Sequence, residues 1–225
     1  MTAPRTRDPA RKERILSAAA DLVARNGFTA VSMEDIGDAV GITASAIYRH
    51  YESKGAVLVA MFDRVVDRLL GDGQAIAAAR TSDPADALAR LVECHIDFVI
   101  NDRDVAQVYF KEIAQVPPAD RRRLRRNQRL YVEEWVLLLT ELRPGLDDAA
   151  ARGLVHAAIG VIQSTLWYSA GLEEERLRSL LRTAALGVLS SLPDQPPSRD
   201  PGHPAPPDPG QAAPPIPAPT PLSEA

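Results

Sequence analysis

Apolar residues recur at intervals of three and four from residue 8 to residue 192, and no stretch sustains the polar–apolar alternation of a half-buried strand. The pattern predicts an all-α chain of about nine helices. Asp8 and Pro9 supply an N-cap followed by proline at the first helical position. Ile15, Ala18, Ala19, Leu22 and Val23 then form one stripe, which Gly27 ends. Ser32, with Asp35 three residues on, caps a short helix closed by Gly41. Thr43 opens a third helix to about His50. Ser53 opens a long fourth, with Val57, Leu58, Met61, Phe62, Val65, Val66, Leu69 and Leu70 at helical spacing. Asp83 and Pro84 repeat the cap-plus-proline start, with Leu88, Leu91, Val92, Ile96 and Val99 behind them. Further helices are predicted over 104–115, 120–142, 148–170 and 173–192, with breaks at Pro117–Pro118, Pro144–Gly145 and Gly171.

The periodicity stops at Pro193, beyond which 13 of 33 residues are proline. Such a segment has almost nothing to bury and is expected to be disordered or polyproline-II-like, outside the fold. The rest has the balance of an ordinary soluble domain, 45% apolar and 25% charged. The formal charge of -4 argues against a protein that coats nucleic acid over its whole surface. It leaves room for a local basic face. Arg5, Arg7, Arg11, Lys12 and Arg14, against Asp8 and Glu13, give residues 1–14 a net charge of +3, enough for a phosphate-facing arm. Cys94 is the only cysteine, so no internal disulfide forms; a small buried hydrophobe is its expected state. There is no signal-peptide core and no run of ~18 apolar residues, which points to the cytoplasm and away from membranes.

The chemistry concentrates in residues 32–58. Two short helices joined by a tight turn at Gly41 fit a helix-turn-helix, whose second helix enters the major groove. Gly37 is expected to face the second helix, where only a very small side chain permits close approach, and Gly41 to take the positive φ of the turn. Ile36, Val40 and Ile47 are spaced to fill the small core between the helices. Thr43 and Ser45 stand at the start of the second helix, and Tyr48, His50 and Tyr51 offer polar and aromatic surface further along. Lys54 falls in the first turn of the fourth helix, where a cation opposes the helix dipole; an external anion such as DNA phosphate would account for it.

The run from Gly41 to Lys54, with Leu58 following and Gly27–Ser32 ahead of it, resembles the signature of the tetracycline-repressor (TetR) family, and the resemblance covers residues 11–62. It implies a two-fold dimer, usually a repressor, with a three-helix DNA-binding head and a ligand-binding body, operator binding being weakened by the ligand. By that resemblance Ser32, Thr43, Ser45, Tyr48, His50 and Lys54 touch double-stranded operator DNA. The chain then divides into an arm (1–8), a helix-turn-helix domain (9–55), an effector-binding and dimerisation domain (56–192) and the proline-rich tail (193–225). Gly37 departs from the family, where alanine is commoner; a mid-helix glycine costs roughly 1 kcal/mol and would loosen the head.

Beyond residue 70 the resemblance implies architecture alone. The last two helices would pair across the two-fold axis as a four-helix bundle, with Ala157, Ala158, Gly160, Ala184, Ala185 and Gly187 allowing close approach. The other helices would enclose a cavity. Tyr109, Phe110, Tyr131, Trp135, Gln163 and Trp167 are its candidate ligand contacts, and His95 and His156 further polar anchors. The dense run Arg121, Arg122, Arg123, Arg125, Arg126 and Arg129 reads as a solvated face, as a phosphate clamp for a ligand such as an acyl-coenzyme A, or as support for DNA binding. A small hydrophobic, lipid-like effector is the expectation. The four histidines show no metal-ligand spacing, so neither metal nor cofactor is expected. With no phosphate loop or nucleophile elbow, an enzyme is not expected either. A regulator or architectural DNA-binding protein without an effector is the alternative, and it would require a filled body.

Overall fold

In the computed structural model, which describes residues 9–79, 83–168 and 171–191, Ser32, Thr43, Ser53, Asp83 and Asp147 sit where helices begin, and the expected cap at Asp8 lies outside the described residues. The order is α1 (Pro9–Asn26), α2 (Met33–Val40), α3 (Ala44–Tyr48), α4 (Lys54–Ala78), α5 (Pro84–Asn101), α6 (Arg103–Glu112), α7 (Pro118–Leu142), α8 (Asp148–Gln163) and α9 (Glu174–Leu189). Single 3-10 turns follow α6 and α8. No strand occurs among the described residues. The arm assigned to residues 1–8 and the proline-rich tail lie outside them.

Local chemistry fixes these boundaries. Ser32 Oγ accepts the Asp35 N–H at 3.1 Å while Asp35 accepts the Ser32 N–H at 2.8 Å, a complete capping box at α2. Ser53 caps α4 through the Ala56 N–H at 3.0 Å, and Asp147 caps α8 through the Ala150 N–H at 2.8 Å. Gly27 and Gly41 take φ of +79° and +70°, the left-handed conformation glycine reaches without a Cβ penalty. Some helices are shorter than predicted. α3 ends at Tyr48, and α8 gives way at Ser164 to a 3-10 turn whose Leu166 carbonyl is held at 2.6 Å by Gln107 of α6.

Two apolar cores follow. The first joins Ile15, Ala19 and Val23 of α1, Ile36 of α2, Ile47 of α3 and Leu58, Met61 and Phe62 of α4. It also draws in Val108 and Tyr109 of α6, Val116, and Leu124 of α7. The second lies among α4, α5, α7, α8 and α9, around Leu91, Ile96, Trp135, Leu139, Val155 and Ile162. α4 belongs to both, so the expected division at residue 55 falls in its first turn, inside one continuous helix. Ion pairs on the surface, such as Arg178 with Asp97 and Arg152 with Glu133, join neighbouring body helices and add little individually. Cys94 is half-buried beside Asp72 on the α4–α5 groove, with burial pushing its thiol up to about 11, so the expectation of a buried hydrophobe holds only in part.

Candidate nucleic-acid interface and ligand cavity

The α2–turn–α3 unit is held together by backbone proximity. A Cβ on Gly37 would stand 2.6 Å from the Ile42 carbonyl oxygen and 3.3 Å from the Ala44 nitrogen. Glycine is what lets the two helices approach, so the penalty foreseen from its helix propensity is offset by packing. Ile47 is fully buried on the inner face of α3, and Thr43, Ser45 and Tyr48 project outward, Tyr48 with half its surface exposed. The Thr43 and Ser45 hydroxyls lie 2.9 Å apart and His50 is half-buried at the following turn. Tyr51 turns the other way, into the head core, and supplies no outer surface.

Two of the expected DNA contacts have internal partners. Ser32 Oγ both accepts the Asp35 N–H and donates to the Asp35 carboxylate at 2.7 Å. These bonds hold the Asp35 carboxyl below the usual carboxylate range. A phosphate at that helix start would face the Asp35 charge. Lys54 is the second. Its ammonium donates to the carbonyls of Phe28 and Val31, each at 2.7 Å, and of Thr29 at 3.3 Å, and lies 4.5 Å from the centre of the Phe28 ring. An ammonium has three protons. Those carbonyls give a cation at the start of α4 an internal set of acceptors.

The body contains a cavity of about 420 Å³ walled by α4, α5, α6, α7 and α8. Val65, Leu69, Phe98, Ala106, Val132 and Ile159 give it apolar walls. Of the residues expected there, Tyr109, Phe110, Tyr131 and Gln163 line it, as do His95 and His156. Trp135 and Trp167 do not. Trp135 is wholly buried behind the wall, its ring centre 6.0 Å from that of Tyr131, and Trp167 lies outward against Phe110 with ring centres 6.1 Å apart.

His95 is the polar centre of the wall. Gln163 Nε2 approaches His95 Nε2 at 3.2 Å, and Tyr131 Oη lies 3.4 Å from His95 Nδ1. Burial drives the imidazole pKa down to about 4, so it is neutral. With the Gln163 amide donating to Nε2, the ring proton resides on Nδ1 and Tyr131 Oη accepts it, leaving the phenolic proton for a further acceptor. The row carries donors and no charge.

α7 also brings charged side chains to the cavity, Glu133 among them. Arg125 and Arg129, one turn apart on α7, both line the cavity, are exposed, and make no ion pair among the described residues. Arg123 is clamped by Asp63 at 2.9 Å and Asp120 at 3.0 Å, and Arg152 by Glu133 at 2.6 Å and Asp148 at 2.8 Å. The arginine run is therefore divided, part pairing with acids and part facing the cavity. A spacing of four in that run was the available signal for Arg125 and Arg129. No group of His, Cys, Asp and Glu able to hold a metal occurs among the described residues.

Residues 15–61 match the family "Bacterial regulatory proteins, tetR family", and residues 81–171 match "Tetracyclin repressor-like, C-terminal domain". The chain belongs to the TetR family. Regulators of this family bind operator DNA as dimers, and this chain is accordingly a DNA-binding transcriptional regulator. It is 30% identical over 101 residues to the HTH-type transcriptional activator FasR of Mycolicibacterium smegmatis, covering 45% of this chain and 46% of that one. To the HTH-type transcriptional repressor KstR2 of Rhodococcus jostii it is 26% identical over 159 residues, 70% of this chain and 76% of that one. Among solved structures, the regulator FadR from Bacillus subtilis in complex with stearoyl-CoA superposes with a TM-score of 0.65 at 19% identity, over 80% of this chain and 98% of that one, a likeness of fold. No helix among the described residues is long and apolar enough to cross a membrane.

Proposed function

We propose that this TetR-family chain is a homodimeric repressor whose α3 reads a palindromic operator and whose body binds an apolar effector with an anionic end, an acyl-coenzyme A or a similar lipid-like thioester, which lowers operator affinity. The observation that carries the effector class is the pairing of an apolar cavity with Arg125 and Arg129, two guanidiniums with no ion pair among the described residues. The acyl chain would lie among Val65, Leu69, Phe98 and Ile159, and the phosphates outside against α7. The stearoyl-CoA complex of the structural relative supports this choice of class. A cavity of this volume also favours an effector over a purely architectural role.

Dimerisation follows from the outer faces of α8 and α9. A Cβ on Gly153, Gly160 or Gly187 would meet nothing, and Leu180 is 53% exposed. Small residues beside an exposed leucine suit a close helix–helix seam. Thr43, Ser45, Tyr48 and His50 are the proposed DNA contacts, repeated on the partner one helical turn or a multiple away, ~34–36 Å per turn.

Fluorescence anisotropy on the intergenic DNA beside the gene, at fixed salt with and without acyl-coenzyme A thioesters, tests this reading. Saturable binding that a thioester reverses is the expected result. Saturable binding that no thioester alters overturns the effector class while leaving the regulator.

A further inference from the structure

Four arginines of α7 share one face. At 3.6 residues per turn, Arg122, Arg125, Arg126 and Arg129 fall within an arc of about 100° and along about 10 Å of helix. All four are exposed, and none forms an ion pair among the described residues. The arginines on either side of that arc are engaged: Arg121 donates to the Ala114 carbonyl at 3.3 Å, and Arg123 to Asp63 and Asp120. Elsewhere on the surface Arg152, Arg178 and Arg182 each meet an acid. Like charges three and four residues apart destabilise a helix, and here Arg122 faces Arg125 and Arg126 while Arg129 faces the same two. Glu133, which continues the face one turn later, is taken by Arg152 at 2.6 Å. In a chain of net charge -4, acids are plentiful, and this stripe has none of them. It is continuous with the cavity, because Arg125 and Arg129 line it while Arg122 and Arg126 stand outside.

We propose that Arg122 and Arg126 bind phosphates of the effector beyond the cavity, with Arg125 and Arg129 joining the two regions, and that the effector is therefore selected as a polyanion and not as a free carboxylic acid. This rests on the effector class proposed above and adds what distinguishes its anionic end. A single carboxylate at the cavity would meet Arg125 and Arg129 and leave Arg122 and Arg126 uncompensated. The diphosphate and ribose phosphate of coenzyme A spread several charges along a nucleotide, and phosphate oxygens accept the two-pronged guanidinium in pairs.

The test removes each partner in turn. Full-length wild type and the double variant Arg122→Gln, Arg126→Gln are titrated calorimetrically with dodecanoyl-coenzyme A, with S-dodecanoyl-pantetheine, which keeps the thioester but has no phosphate, and with dodecanoate. The wild type is expected to bind the coenzyme A thioester about 100-fold more tightly than either other compound, a preference that shrinks as salt rises. In the variant that preference is expected to fall about 10-fold, with pantetheine-thioester and operator affinities unchanged. An undiminished preference in the variant overturns the role of Arg122 and Arg126. A wild type that binds dodecanoate or the pantetheine thioester as tightly as the coenzyme A thioester overturns the phosphate site and leaves a lipid-like effector standing. A variant with weaker operator binding, a shallower salt slope and an unchanged thioester preference assigns the stripe to DNA and overturns the proposal. Failure of the wild type to bind any of the three, with operator binding intact, overturns the effector class and this site with it.

Discussion

Replacing Lys54 by methionine separates a structural cation from a DNA-binding one. Methionine keeps the unbranched stem and its packing but removes the ammonium, which holds the α1–α2 loop through the Phe28, Thr29 and Val31 carbonyls. The two contacts at 2.7 Å carry most of the effect. A hydrogen bond from a charged donor is worth about 1.5–3 kcal/mol when desolvated, and at this half-buried site about 1 kcal/mol each is reasonable. The Phe28 ring adds about 0.5–1 kcal/mol. The sum of about 2–3 kcal/mol predicts a fall in Tm of about 5–10 °C for a chain of this size. Thermal unfolding followed by circular dichroism measures it. Operator affinity measured across a salt series supplies the contrast, because each lost phosphate contact lowers the slope of log K against log salt by ~0.9. An unchanged Tm together with a slope reduced by about 2 per dimer would refute the reasoning and return Lys54 to the DNA.

Tyr48→Ala is expected to weaken operator binding by about 1–3 kcal/mol while stability stays within about 0.5 kcal/mol, since the ring is exposed and outside the core; a comparable loss in denaturant stability would instead place it in the fold. Gly37→Ala gains helix propensity yet pushes a methyl to within 2.6 Å of the Ile42 oxygen, so urea unfolding should show destabilisation of about 1–3 kcal/mol. A more stable protein would mean that α2 and α3 can separate freely. His95 has a folded-state pKa of about 4 against 6.5 unfolded, so the unfolded chain binds the extra proton in that window. The neutral buried ring contributes about 3 kcal/mol that is fully present above pH 6.5 and lost as pH falls towards 4. His95→Asn should flatten that part of the stability–pH curve; an unchanged curve would show that other groups set it.

The head was legible because its constraints are local. Ser32 reaches Asp35 three residues on, Gly41 must turn within its own residue, and Ser53 caps its own helix. The internal partners of Lys54 were not legible, since those carbonyls lie 23–26 residues back in the chain and present no side-chain pattern. In the body, helical periodicity identified the helices but not which neighbour each face meets. Tyr131 and Trp135 are one turn apart on α7, and only the first lines the cavity. In the same way Arg123 finds Asp63 on α4 while Arg125, two residues on, lines the cavity. Assignments of that kind depend on the direction of an approaching helix, which no single segment encodes.

The head core borrows Val108, Tyr109, Val116 and Leu124 from the far side of the chain. Residues 9–55 are for that reason not a cassette that can be transplanted. A chimera joined at residue 55 would set a foreign three-helix unit on a seat shaped for another, mismatched where α6 and α7 fill it. On the proposed reading of α3, changing operator specificity while keeping the effector response is a matter of altering the outward residues of α3 in place. Exchanging the head would mean exchanging its seat as well.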